Sequence, residues 1–167
     1  MIQVYTGNGK GKTTAALGLA LRSAGAGKKV FFAQFVKGRR YSELTSLKRL
    51  KEIRAEQFGR SCFIRNKPAP QDCARARAGL ARVKEIIAGR KFPVVILDEI
   101  HIALHYRLVS TEQVMELVRM APKNMELVLT GRHAPKEIVA CADLVSEIKA
   151  VKHYYTRGVK ARRGIEY

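Results

Sequence analysis

Tryptophan is absent, and the 167 residues contain only three cysteines, Cys62, Cys73 and Cys141. They are odd in number, far apart and without a Cys-x-x-Cys pair, which excludes a disulfide-stapled secreted scaffold. No apolar run approaches the ~18 residues of a membrane span. No charged-then-apolar leader follows Met1, so the expected compartment is the cytoplasm. Repeats, low-complexity tracts and linker-like stretches are missing too. Acid is the scarcest resource: 14 Asp and Glu stand against 32 Lys and Arg, a formal charge of +18. Residues 1–42 hold eight basic residues and no acid, and a second acid-free stretch runs from Ile148 to Ile165.

Hydrophobic residues make up 47% of the chain, enough apolar material to exclude disorder. The length fits one compact domain spanning residues 1–167. The basic excess draws polyanions, which leaves phosphates, carboxylated small molecules, nucleic acid or an acidic protein as partners.

Strand-like and helix-like segments alternate. Ile2–Thr6 reads as a strand and Lys12 to Gly25 as an Ala/Leu-rich helix, apolar nearly all round and so expected to be buried. Lys29–Val36 reads as a strand, and Glu43–Ile53 as an amphipathic helix capped by Ser42. Phe58–Gln71 is loop-like, with Gly59, Pro68 and Pro70, and Asp72–Ala88 is a helix. Val94–Leu97 and Glu126–Thr130 are buried strands. Ser110-Thr-Glu-Gln113 is a capping box, Pro135–Ala142 a short helix and Leu144–Ile148 a last strand. This order predicts a parallel sheet with helices on both faces and a ligand crevice at the carboxyl ends of the strands.

Gly7-Asn-Gly-Lys-Gly-Lys-Thr-Thr14 lies between the first strand and the first helix. Glycines there let backbone N–H groups turn toward anionic oxygens, and the helix points its positive end the same way. Lys12 adds a point charge and Thr13 a hydroxyl for Mg²⁺. Thr6 stands where the usual G-x-x-x-x-G-K-[ST] spacing has its first glycine, so the loop is tighter than the common nucleotide cradle. Val94-Val-Ile-Leu-Asp98-Glu99 ends an apolar strand in two carboxylates, acidic partners for a phosphate-bound cation. Together the two motifs indicate a three-layer α/β P-loop (RecA-like) domain.

Asp98-Glu-Ile-His101 resembles a helicase box over four residues only. One motor domain without aromatic residues interleaved among the basic ones does not favour nucleic acid. His101 and His105 have an i, i+4 spacing but no evident third ligand, so they read as helix-surface histidines near the site.

Over most of its length the sequence resembles the ATP:corrinoid adenosyltransferases. Thr6-Gly-Asn-Gly-Lys-Gly-Lys-Thr-Thr-Ala-Ala16 is similar to that family's short P-loop, and Gln34-Phe-Val-Lys-Gly38, followed by Glu43, to its second-strand motif. Leu97-Asp-Glu99, Leu129-Thr-Gly-Arg132, Ala142–Glu147, Val151-Lys-His153 and Gly158–Tyr167 resemble further signatures of the family.

The resemblance implies transfer rather than hydrolysis. The Co(I) of a reduced corrinoid attacks C5′ of ATP, and the triphosphate leaves. It implies that Gly7, Asn8, Gly9, Lys10, Gly11, Lys12, Thr13 and Thr14 hold the triphosphate, with Lys12, Thr13 and Glu99 as the catalytic set. Thr13, Asp98 and Glu99 would serve Mg²⁺ or Mn²⁺, and Arg22, Lys37 and Arg132 would make polar contacts to the nucleotide. Where the family carries aromatic rings on the corrinoid face, this chain has Arg60-Ser-Cys-Phe-Ile64, so Cys62 and Ile64 replace rings and Phe58 or Phe63 could substitute. A homodimer and an acidic flavodoxin-like reductant are further expectations. The alternatives are a P-loop ATPase or nucleotide-dependent switch, nucleic-acid-stimulated in one form, and a non-catalytic corrinoid or nucleotide carrier.

Overall fold

A computed structural model describes residues 1–39, 41–60 and 67–167. Two runs of apolar residues fix its centre. Strand β2 (Val30–Phe35) and strand β4 (Val94–Asp98) are buried at every position. Their side chains alternate between two cores, as a period of two requires. Phe31, Ala33, Phe35, Val95 and Leu97 join one cluster, while Val30, Phe32, Val94 and Ile96 join the other. Each fully buried phenylalanine contributes about 2–3 kcal/mol of apolar burial.

Six strands form one sheet in the order β3-β2-β4-β5-β1-β6, with every pairing parallel. The others are β1 (Ile2–Thr6), β3 (Ile53–Phe58), β5 (Glu126–Thr130) and β6 (Leu144–Glu147). Helix α1 (Lys12–Gly25) covers one face, packing Ala16, Ala20 and Ala24 against Phe32, Ile96 and Val128. The small alanines let the helix sit close to the sheet. Leu21 on its far side is 58% exposed, so α1 is buried along one stripe rather than all round. Helix α2 (Ser42–Leu47) lies beside β3. On the opposite face α3 (Pro70–Gly89) crosses β2 and β3 and meets α5 (Thr111–Met120), with α4 (Ile100–His105) following β4. Helix α6 (Lys136–Ala140) precedes β6, and the chain ends in a 3₁₀ turn, Tyr154–Arg157, and a tail.

The Ser110 capping box forms as the spacing predicts: Gln113 N donates to Ser110 Oγ at 3.2 Å, and Ser110 N donates to Gln113 Oε1 at 2.9 Å. Three expectations are corrected. The Glu43–Ile53 helix stops at Leu47, because Ile53 begins an edge strand. Ser42 is not its cap: Tyr41 occupies that position and supplies no capping side chain. The loop-like stretch starts after β3, and α4 was not foreseen. No helix of the described residues is long and apolar enough to cross a membrane.

Candidate active site

β2, β4, β5 and β1 are neighbours and end on the same edge of the sheet, so each delivers its terminal residues to one crevice. β1 stops at Thr6, and Gly7 (φ 97°) turns the chain into the glycine loop. α1 then starts behind Gly11 with no capping side chain and no acid in its first turn. The first N–H groups of the helix therefore face the crevice with an uncancelled positive end, which suits an anion.

Lys12 is almost wholly buried, and its Nζ donates to Gly7 O and Gly9 O, both at 2.7 Å. The ammonium thus curls the loop around itself and keeps one further N–H for a ligand. Burial pulls its pKa down and Arg132 adds to that effect, while Glu99 and Asp98 oppose it. The loop glycines also meet a demand that spacing alone does not reveal. A Cβ on Gly7 would lie 2.5 Å from Ile148 O, and one on Gly9 would lie 2.8 Å from the carbonyl oxygens of Ile148 and Lys149. The chain leaving β6 runs directly against the loop, and Gly9 N donates to Ile148 O at 2.7 Å. That amide is spent inside the protein and is not free for a ligand.

Asp98 is fully buried at the tip of β4. It accepts from Thr13 Oγ1 at 2.9 Å, Thr130 Oγ1 at 2.8 Å and Lys37 Nζ at 2.8 Å. Lys37 reaches it because Val36, in the left-handed region at φ 62°, reverses the chain just past β2. The same ammonium donates to Thr13 Oγ1 at 3.1 Å. Burial opposes the charge on Lys37, but the Asp98 carboxylate outweighs it and holds the pKa above the usual lysine value. Behind this pair, buried Gln34 donates to Glu43 at 3.2 Å and to Asp98 Oδ2 at 3.4 Å, and Gln57 donates to Gln34 Oε1 at 3.1 Å. Glu99 sits beside Asp98 at φ 60°. Burial and the Asp98 charge raise its pKa, against Lys37, Lys12 and Arg132.

Thr13, Asp98 and Glu99 offer oxygen only, the donor chemistry of a hard divalent cation that completes its shell with phosphate and water. Among the described residues no group of three or more His, Cys, Asp or Glu is placed to hold a metal. The set offers oxygen ligands that fit a hard divalent cation, which would need further ligands to complete its shell.

Arg132 lies exposed two residues past the end of β5, and its charge contributes to lowering the Lys12 and Glu99 pKa values. Arg22 is not brought to this cluster: it lies in the last turn of α1, about 14 Å along the axis from Thr13, at the 1.5 Å rise of a helix. Phe58 packs on Phe35 with ring centroids 5.7 Å apart, at the margin of the core. Cys62, Phe63 and Ile64 lie outside the described residues. The histidines are not a surface pair: His101 is fully buried, whereas His105 is exposed and stacks on His133 at 4.4 Å. Burial pushes the His101 imidazole down to about 4.

Sequence reasoning gave no role to Gln34 or Thr130, although both stand inside quoted motifs. It also missed the tail as a wall of the loop. Lys10 Nζ donates to Tyr154 Oη at 2.8 Å and pairs with Glu166 at 3.0 Å, while Tyr154 Oη donates to Glu166 and Arg162 pairs with Glu166 at 3.3 Å. Ser42 Oγ donates to Tyr167 O at 3.0 Å, so the tail spans from the glycine loop to α2.

A family model described as ATP:corrinoid adenosyltransferase BtuR/CobO/CobP matches residues 1–167. A corrinoid adenosyltransferase of Escherichia coli K12 is 35% identical over 167 residues, covering all of this chain and 85% of that protein. Corrinoid adenosyltransferase CobA of Salmonella typhimurium is 34% identical over the same span and share. A corrinoid adenosyltransferase of Pseudomonas aeruginosa is 31% identical over 169 residues, covering all of this chain and 83% of that protein. With the glycine loop, the buried acidic strand end and the closing tail in one crevice, the chain belongs to the ATP:corrinoid adenosyltransferase family.

Proposed function

We propose that this chain, as a single domain over residues 1–167, transfers the 5′-deoxyadenosyl group of ATP to the Co(I) of a reduced corrinoid in cobalamin biosynthesis or salvage. One observation carries this reading most: the uncapped start of α1 and buried Lys12 share a crevice with the Thr13–Asp98–Lys37 cluster. The lone pair of Co(I) forms the cobalt–carbon bond at C5′. The C5′–O bond breaks, and its electron pair leaves on inorganic triphosphate.

Negative charge grows on the departing oxygen, so donors fixed beforehand stabilise the transition state more than the ground state. The helix N–H groups and Lys12 supply such donors, with Lys37 and Arg132 as further cations. Asp98 holds Thr13 and Lys37 in place, and Thr130 in turn holds Asp98. Mg²⁺ or Mn²⁺ carried by the nucleotide, with Thr13, Asp98 and Glu99 as ligands, would neutralise part of the triphosphate charge.

The basic excess suits a carboxylated corrinoid and an acidic flavodoxin-like electron donor in the cytoplasm, with a homodimer as the assembly. Docking of that donor should weaken as added salt screens the charges. The test is anaerobic incubation with ATP, Mg²⁺ and chemically reduced cobalamin, followed by its visible spectrum. Cobalt–carbon bond formation that falls ~100-fold or more in Lys12→Ala supports the reading, since one transition-state donor is worth that much. ATP turnover without any alkylated cobalt would replace it with an ATPase.

A further inference from the structure

The helicase-like tetrad Asp98-Glu-Ile-His101 ends on a residue to which the chemistry above gives no work. His101 lies in the first turn of α4 and is completely buried. Its Nδ1 is 3.2 Å from Gly131 O, and its Nε2 is buried with no hydrogen-bond partner among the described residues. A neutral imidazole has one N–H, and among the described residues only Nδ1 has an acceptor to give it to. A bare buried acceptor at Nε2 is a cost to the fold, which a purely structural site would remove with leucine.

The other end of that hydrogen bond is a tightly held turn. Gly131 N donates to Tyr5 O at 3.1 Å, so the residue is tied through both its amide and its carbonyl. At φ 135°, a Cβ there would lie 2.9 Å from the His101 Cβ and 3.2 Å from the amide nitrogens of His101 and Ile102. The turn therefore rests directly on α4. One residue earlier, Thr130 Oγ1 donates to Asp98 and accepts from Glu99 N at 3.0 Å. One residue later comes Arg132, whose charge reaches both Lys12 and Glu99.

The geometry points to His101 as a positioning residue that clamps the Gly131 carbonyl and thereby aims Arg132 at the triphosphate, an inference that rests on the proposed phosphate site. Orientation set before binding spares the ordering of a long side chain when the ligand arrives. His101 itself touches no substrate.

The experiment is titration of the full chain with inorganic triphosphate and Mg²⁺ by calorimetry, with melting temperatures as a folding control. His101→Leu should weaken binding ~10-fold, the scale of one hydrogen bond made to a charged group. His101→Asn, whose amide nitrogen replaces Nδ1, should stay within ~3-fold of the parent, whereas His101→Gln, reaching toward Nε2, should behave like the leucine variant. Arg132→Ala should cost at least as much as His101→Leu, and combining the two should add nothing. Losses that multiply in the double variant, or equal binding by the Asn, Gln and Leu variants, would overturn the clamp. If Arg132→Ala alone leaves triphosphate affinity unchanged, the clamp falls together with the placing of Arg132 at the phosphates. Intact Arg132 dependence with no His101 effect sinks the clamp alone. Should the leucine variant fail to fold, the Asn and Gln pair decides the matter.

Discussion

Replacing Asp98 by asparagine keeps its shape and removes its charge, which isolates what the buried ion pair contributes. Asp98 is fully buried, and the Lys37 side chain is 16% exposed with its nitrogen 2.8 Å away. Removing one partner of a buried pair leaves the other ammonium or carboxylate uncompensated, a loss of about 3 kcal/mol or somewhat more. In a domain of this size that lowers Tm by roughly 6–12 °C. Lys37→Met should also destabilise, since it strips the Asp98 carboxylate of its paired ammonium. The double variant buries no unpaired charge, so its loss should be smaller than the sum of the single losses by about 2 kcal/mol. The pH dependence has a definite sign. Lys37 has a folded pKa above its unfolded value, so its contribution is complete below about 10.5 and vanishes only as pH rises through the higher folded value. Urea melts of the four proteins at pH 7 and at alkaline pH measure both effects. Single losses that add to within about 0.5 kcal/mol would refute the coupling.

Gly9→Ala should distort the loop, because its new methyl collides with two backbone carbonyls that no rotamer change can move; a loss of about 1–3 kcal/mol and a raised KM for ATP are expected, read by melting and initial rates. Glu166→Gln should loosen the tail from Lys10 and raise the protease sensitivity of residues 149–167, whereas the parent should stay protected. Tyr154, Arg162 and Lys10 hold the Glu166 carboxyl well below the usual carboxylate range, so in the parent the tail contact is complete above about 4.3 and is lost only as pH falls through that lower folded value. Chelating divalent cations should abolish adenosyl transfer while leaving the Tm without nucleotide unchanged, as no group of three or more His, Cys, Asp or Glu among the described residues is placed to hold a metal.

What could be read in the sequence was local. The glycine loop, Lys12 and the acidic end of β4 announce themselves because a strand, a turn and a helix are contiguous there. β3 was hidden because, on an edge strand, the polar residues Arg54, Glu56 and Gln57 interrupt its apolar ones, and the polar run before it continues a helix-like pattern. α4 escaped because six residues are too short for periodicity and its N-cap, Glu99, adopts a left-handed conformation rather than a capping one. The convergence of Gln34, Thr130 and Lys37 on Asp98 depends on sheet register, with Gln34 paired to Asp98 across β2 and β4. The close approach that bars a side chain at positions 7 and 9 likewise comes from Ile148 and Lys149, far along the chain.

The most direct measurement is ³¹P NMR of the phosphorus released during anaerobic turnover with ATP, Mg²⁺ and reduced cobalamin. Adenosyl transfer at C5′ predicts inorganic triphosphate in step with each alkylated corrinoid formed. Orthophosphate released without dependence on the corrinoid would contradict it.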